Sequence, residues 1–170
     1  KFLLFQNVSL KVSPGELCRI QGPNGSGKST LLSIIAGLRS KQSGKIRHSG
    51  PIEYLSADGN ALYPDLTPKK NLEFWMKLRQ NSNADCITSA LNTWGVPSPP
   101  ARFPLPARFF STGLRRRIAL ARLTLSQAPL WILDEPTWGL DQNGVETLQN
   151  ELRKHLENGN GCLMVSHSES

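Results

Sequence analysis

Apolar residues recur in short blocks along the chain, and their spacing divides it into three stretches. Over the first 20 residues they alternate with polar ones: Val8, Leu10 and Val12 precede a Pro14-Gly15 turn, and Leu17, Cys18 and Ile20 follow it. Period-two alternation broken by such a turn predicts paired strands, so an antiparallel β element is expected at the N-terminus. Leu31-Leu32-Ser33-Ile34-Ile35-Ala36 reads as a buried helix ended by Gly37. Residues 43–46 and 52–55 read as further short strands.

From about residue 57 the period becomes helical. Thr67-Pro68 opens a helix carrying Leu72, Phe74, Trp75 and Leu78, and Asp85 is placed to cap a second with Ile87, Ala90, Leu91 and Trp94. Prolines crowd residues 97–106, a stiff non-helical connector. Ser111 then caps a third helix over 114–125, rich in Arg and Ala. Apolar blocks return with Leu130-Trp131-Ile132-Leu133, the pattern of a strand buried on both faces of a parallel sheet. An amphipathic helix over 144–156, with Val145, Leu148, Leu152 and Leu156 on one face, and a last strand over 162–165 complete the chain. The expected class is α/β, a mostly parallel sheet with the N-terminal antiparallel element and an inserted helical lobe. Residues 1–56 and 126–170 form the core and 57–125 the lobe of a single domain.

Composition narrows the partners only slightly. A hydrophobic content of 38% supports a packed core. The net charge of +7 suits nucleic acid, an anionic membrane face or an anionic ligand equally. Cys18, Cys86 and Cys162 lie far apart without metal or disulfide spacing, as in a reducing compartment, and Cys18 and Cys162 read as buried strand residues. No apolar run approaches the length of a membrane span.

The chemistry concentrates in Gly22-Pro23-Asn24-Gly25-Ser26-Gly27-Lys28-Ser29-Thr30, which fits the phosphate-cradling pattern G-x-x-x-x-G-K-[ST]. Glycines let backbone N–H groups turn inward on a polyphosphate. Lys28 reaches the β- and γ-phosphates, Ser29 holds Mg²⁺, and the following helix points its positive end at the anion. Further on, Asp134 ends a buried strand, where it can fix Mg²⁺, and Glu135 can orient or deprotonate an attacking water. Ser111 and Gly113 open a helix that runs into Arg115-Arg116-Arg117, which reads either as a second anion site or as a cap before a solvated basic face. His167 follows the last strand, where a histidine is more often structural than catalytic.

The order of these motifs, with Gly139-Leu140-Asp141 between them, strongly resembles an ABC-type ATPase, and the resemblance covers nearly all of the chain. A narrower likeness appears in residues 64–74, 117–123 and 128–136, which are similar to the haem-exporter ATPases of cytochrome c maturation. The resemblance implies that ATP and Mg²⁺ are bound and that two copies close face to face on two ATPs. Ser111 and Gly113 of one copy would then act on the nucleotide held by the other. It further implies a place for Asp141 in the loop communicating across that interface and for His167 as the γ-phosphate switch, with Glu135 and Lys28 as its catalytic companions. The implied partners are a second ATPase subunit and integral membrane transporter subunits, at the cytoplasmic face of a bacterial inner membrane or its organellar equivalent. Nucleic acid is not an expected partner. Basic patches suit a subunit near a membrane.

Three positions depart from the family pattern: Ala57 where a Gln is usual, Leu114 in place of the Gln that ends the signature, and Thr112 where Gly or Ala is usual. The first two favour an alternative, a nucleotide-gated dimerisation module with little hydrolysis. A DNA-repair type of ABC ATPase is a further alternative. The chain also begins without Met, and a longer parent at both ends is expected.

Overall fold

The computed structural model describes residues 4–57, 59–79, 86–97 and 104–166. Its sheet has four strands, β1 (Leu17–Ile20), β2 (Ile52–Leu55), β3 (Leu130–Asp134) and β4 (Gly161–Val165), in the spatial order β1-β4-β3-β2. Every neighbouring pair is parallel. The central strands are the most apolar runs in the sequence, because a strand covered on both faces has no solvated side on which to place polar residues. All of β4 is buried, as is β3 from Trp131 onward.

The helices are α1 (Lys28–Ile35), α2 (Pro68–Leu78), α3 (Cys86–Thr93), α4 (Thr112–Leu125) and α5 (Gln142–Glu157), with a 3-10 turn at Ala107–Phe109. Residues cluster into two compact units: Lys1–Ala57, Ala128–Pro136 and Leu152–Ser170 form one, Asp58–Gln127 and Thr137–Glu151 the other. The second unit thus takes in Thr137–Glu151, which the sequence reading assigns to the core.

In the sheet unit, strand alternation assigns the faces. Ile132, Leu163 and Val165 pack with Leu32 of α1, and Cys18, Ile20 and Tyr54 gather round the same cluster. Trp131 points to the other face, where its indole stacks on the ring of His155, centroids 3.8 Å apart and planes 14° from parallel. In the part of α5 that belongs to this unit, the buried residues are Leu152 and His155. Val145 and Leu156, expected on the apolar face of α5, are only half-buried. Aromatic stacking recruits a histidine that hydrophobicity alone would leave outside.

In the helical unit, Thr67 caps α2 by accepting from the Lys70 N–H at 3.2 Å, with Pro68 at the first helical position. Asn71 is fully buried and pins residues 63–67, accepting from the Tyr63 N–H at 2.7 Å and donating to the carbonyls of Tyr63, Leu66 and Thr67. Helix α4 is the centre of this unit, burying Ile118, Ala119, Leu120, Ala121 and Leu123 among its neighbours.

Three expectations change. Among the described residues, neither 4–16 nor 41–51 forms a strand. Asn7 takes a left-handed turn at φ 56°, which interrupts the extended run, and Val8 and Leu10 remain exposed. A two-stranded ribbon without cover is marginal in water. Leu78, expected on the apolar face of α2, is exposed. The cap predicted at Asp85 lies outside the described residues.

Candidate functional site

The register of the sheet brings three chain exits to one level. Ile20 sits opposite Val165, and Val165 opposite Asp134. The segment 21–27, the turn at Glu135 and Ser166 therefore all start from the carboxyl edge, where open α/β sheets bind ligands.

A cleft of about 260 Å³ opens at that edge. Gly25, Gly27, Lys28, Ser29 and Thr30 line one side, Asp134, Glu135 and Val165 another, and Leu4 its rim. The loop is shaped by glycine. Gly27 adopts φ 91°, and a Cβ there would come within 3.3 Å of the Phe5 ring. Gly27 is also the N-cap of α1, and it offers no side-chain acceptor to the first turn. No acidic residue occupies that turn. The helix therefore presents its N–H groups and the positive end of its dipole without an internal counter-charge. Lys28 Nζ folds across its own loop, donating to Gly22 O at 2.7 Å and Pro23 O at 2.9 Å. Amine and backbone donors thus share one concave surface, a fit to a polyphosphate.

The acidic side of the cleft is built differently. Asp134 is the last residue of β3 and only 1% exposed. Glu135 has φ 46°, a left-handed conformation that costs a non-glycine residue on the order of 1 kcal/mol. Its N–H donates to Val165 O at 2.9 Å, so β4 holds the turn in place. One carboxylate ends a rigid buried strand, and the next is displaced from strand geometry by a turn. The pair can therefore do different work, a hydroxyl and a carboxylate (Ser29, Asp134) offering the hard oxygens that Mg²⁺ prefers.

Ser111, Gly113 and Asp141 belong to the helical unit. Ser111 caps α4, its Oγ accepting from the Leu114 N–H at 3.3 Å. Gly113 lies so near the loop before α5 that a Cβ would meet Gly139 O at 3.0 Å. Asp141 accepts from the Gly144 N–H at 2.8 Å at the start of α5 and pairs with Arg117. Its carboxyl is held below the usual carboxylate range, first by the Gly144 N–H and then by the Arg117 guanidinium.

The solvated reading of the basic face is corrected here. Arg116 and Arg122 are buried, and the Arg117 side chain is 12% exposed. Arg117 Nη1 donates to Trp94 O at 3.1 Å, and Arg122 lies over the Trp75 ring at 4.3 Å. Guanidinium groups can be buried when carbonyls and aromatic faces receive them. No period in the sequence distinguishes such arginines from solvated ones, so Arg117 was missed as the partner of Asp141. Leu4 and Val165 were missed as cleft residues because only the folded chain brings them beside Lys28 and Asp134. Thr112 accepts from Arg115 at 3.4 Å, and Ala57 follows β2 half-buried. His167 lies outside the described residues.

Residues 5–138 match the model of the ABC transporter family. A cytochrome c biogenesis ATP-binding export protein CcmA from Vibrio parahaemolyticus is 36% identical over 98% of this chain and 86% of its own length. A CcmA protein from Gluconobacter oxydans is 40% identical over 97% of this chain and 74% of its own. The fold is similar to a solved ATP-binding subunit of an ABC transporter (TM-score 0.85, 25% identity, covering 96% of this chain and 73% of that one). It is also similar to a dimeric ATP-binding cassette in a post-hydrolysis state bound to ADP and phosphate (TM-score 0.84, 26% identity, 97% and 80% covered).

Proposed function

The chain belongs to the ABC transporter family, among relatives named as cytochrome c biogenesis ATP-binding export proteins, and from that membership we propose that it hydrolyses ATP to drive haem export for cytochrome c maturation. One observation carries the proposal. Lys28, Ser29, Asp134 and Glu135 line a single cleft at the uncapped start of α1.

In this reading the backbone from Gly22 to Gly27 cradles the phosphates, with Pro23, Asn24 and Ser26 shaping the loop and Thr30 continuing the helix. Lys28 leaves its loop carbonyls to meet the β- and γ-phosphates. Ser29 and Asp134 would hold Mg²⁺, which when bound neutralises charge developing on the phosphate oxygens. Glu135 takes a proton from the attacking water as oxygen bonds to the γ-phosphorus and the bond to ADP breaks. Ser111 and Gly113 of a second copy complete the site, Asp141 sits in the loop that links the copies, and His167 contacts the γ-phosphate. Integral membrane subunits, at the cytoplasmic side of a bacterial inner membrane or an organellar equivalent, receive the work. Among the described residues no helix is long and apolar enough to cross a membrane.

The test is MgATP turnover against protein concentration, for this chain and for Glu135→Gln. Turnover rising faster than linearly is expected, with a loss of about 10²–10⁴-fold in the variant while ATP binding persists. Equal rates in the two proteins would sink the hydrolytic reading and leave the gated dimerisation module.

A further inference from the structure

We propose that residues 38–48 form a docking surface for anionic phospholipid headgroups. Residues 37–49 are exposed throughout and contain no helix or strand. Unstructured stretches of about 12 residues are uncommon inside compact domains, and when present they are usually functional or disordered. This one is chemically one-sided. Arg39, Lys41, Lys45 and Arg47 are basic, and no Asp or Glu occurs between Glu16 and Glu53. None of the four cations forms an ion pair among the described residues. Lys41 Nζ donates to Gly44 O at 2.9 Å, which bends the segment.

The apolar residues decide which anion fits. Leu38 is 65% exposed and Ile46 38% exposed, interleaved with the cations. Aliphatic side chains gain nothing from phosphates along a duplex, but they gain when a headgroup layer lies over hydrocarbon. The segment also has no Phe, Tyr or Trp on which bases could stack, and its one imidazole, His48, is turned to its own backbone, Nδ1 lying 2.7 Å from Gly50 O. It has no helix or ribbon to enter a groove. Cations draw this loop to a negative surface, and Leu38 and Ile46 enter the interface.

The experiment is sedimentation of the full chain, without nucleotide, with phosphatidylcholine vesicles and with vesicles that also contain phosphatidylglycerol. A duplex oligonucleotide serves as competitor. The chain should pellet only with the anionic vesicles. Replacing Arg39, Lys41, Lys45 and Arg47 with Gln should weaken partition by about fivefold per charge. A second variant, Leu38→Ser with Ile46→Ser, should weaken it while leaving the charge intact. Unchanged thermal midpoints show that both variants are folded, as expected for exposed positions. Absence of pelleting with anionic vesicles, undiminished pelleting of the four-charge variant, or preference for the duplex each overturns the proposal. Because nucleotide is absent, the result is independent of the ATPase reading.

Discussion

Arg117 and Asp141, 24 residues apart in the chain, meet as an ion pair within the helical unit. Each is anchored again by backbone: Arg117 donates to Trp94 O at 3.1 Å, and Asp141 accepts from the Gly144 N–H at 2.8 Å. The pair therefore ties the end of α3 and the first turns of α4 to the start of α5. Arg117→Ala removes a charged donor from a half-dry carbonyl and should cost about 1–3 kcal/mol in urea unfolding. Arg117→Lys cannot reproduce the fork and should rescue only part of the loss.

Asp141 also sets a pH dependence, through the Gly144 N–H first and Arg117 second. Asp141 has a lowered carboxyl pKa in the folded chain. Its contribution is thus present above the ordinary carboxylate value near 4 and is lost as pH falls through the depressed folded value. Thermal midpoints of the chain and of Asp141→Asn should differ by a constant amount from neutral pH down to about 4 and converge below it. A gap that closed already near pH 6 would remove Asp141 as the source.

His155 gives a slope of the same direction in a different window. Burial lowers its pKa from 6.5, outweighing the hydrogen bond with Gly161 O, which acts to raise it. The unfolded chain then binds the proton more readily than the folded one below 6.5. Stability should be complete above that value and fall as pH drops towards the folded pKa. His155→Gln keeps a donor for Gly161 O and should flatten this part of the profile in urea titrations at pH 7.5, 6.5 and 5.5 (the first about one unit above the free value).

Gly161 tests the packing of β4 against the N-terminal segment. A Cβ there would lie 2.8 Å from Val12 Cγ1 and 3.3 Å from Ser13 O. Gly161→Ala should destabilise by about 1–3 kcal/mol through overpacking. Adding Val12→Ala relieves the closer contact, so the double variant should be more stable than the sum of the single effects predicts. Strict additivity would mean that the two groups do not touch.

Gly27 tests the loop itself. Its φ of 91° and the Phe5 ring 3.3 Å from a Cβ both disfavour a side chain. Gly27→Ala should reduce ATP affinity by roughly tenfold, the left-handed penalty of about 1–2 kcal/mol, in equilibrium titration. Thermal unfolding of the nucleotide-free chain should lose no more than that penalty, because Gly27 is only half-buried and the loop can relax when no nucleotide holds it. Unaltered affinity would show that the loop does not need this backbone to hold nucleotide.

The glycine-rich turn before α1, the four strands of the sheet and most helices were legible in the sequence because each rests on local physics. Glycine spacing dictates where a backbone can turn inward, and an apolar run bounded by turns dictates a buried strand. Thr67-Pro68 and Ser111 announced their helices through caps that need only neighbouring residues. The placement of Asp134 at a carboxyl edge also followed from the run before it, and the strand does end there. Tertiary structure decided the rest. Arg116 and Arg122 are buried because α4 lies at the centre of its unit, and His155 is buried because Trp131 offers it a flat face. Val8 and Leu10 alternate as a strand should, yet they stay exposed, and no strand among the described residues pairs with them. Local periodicity records what a segment can bury. Only the assembled chain supplies the surface that buries it.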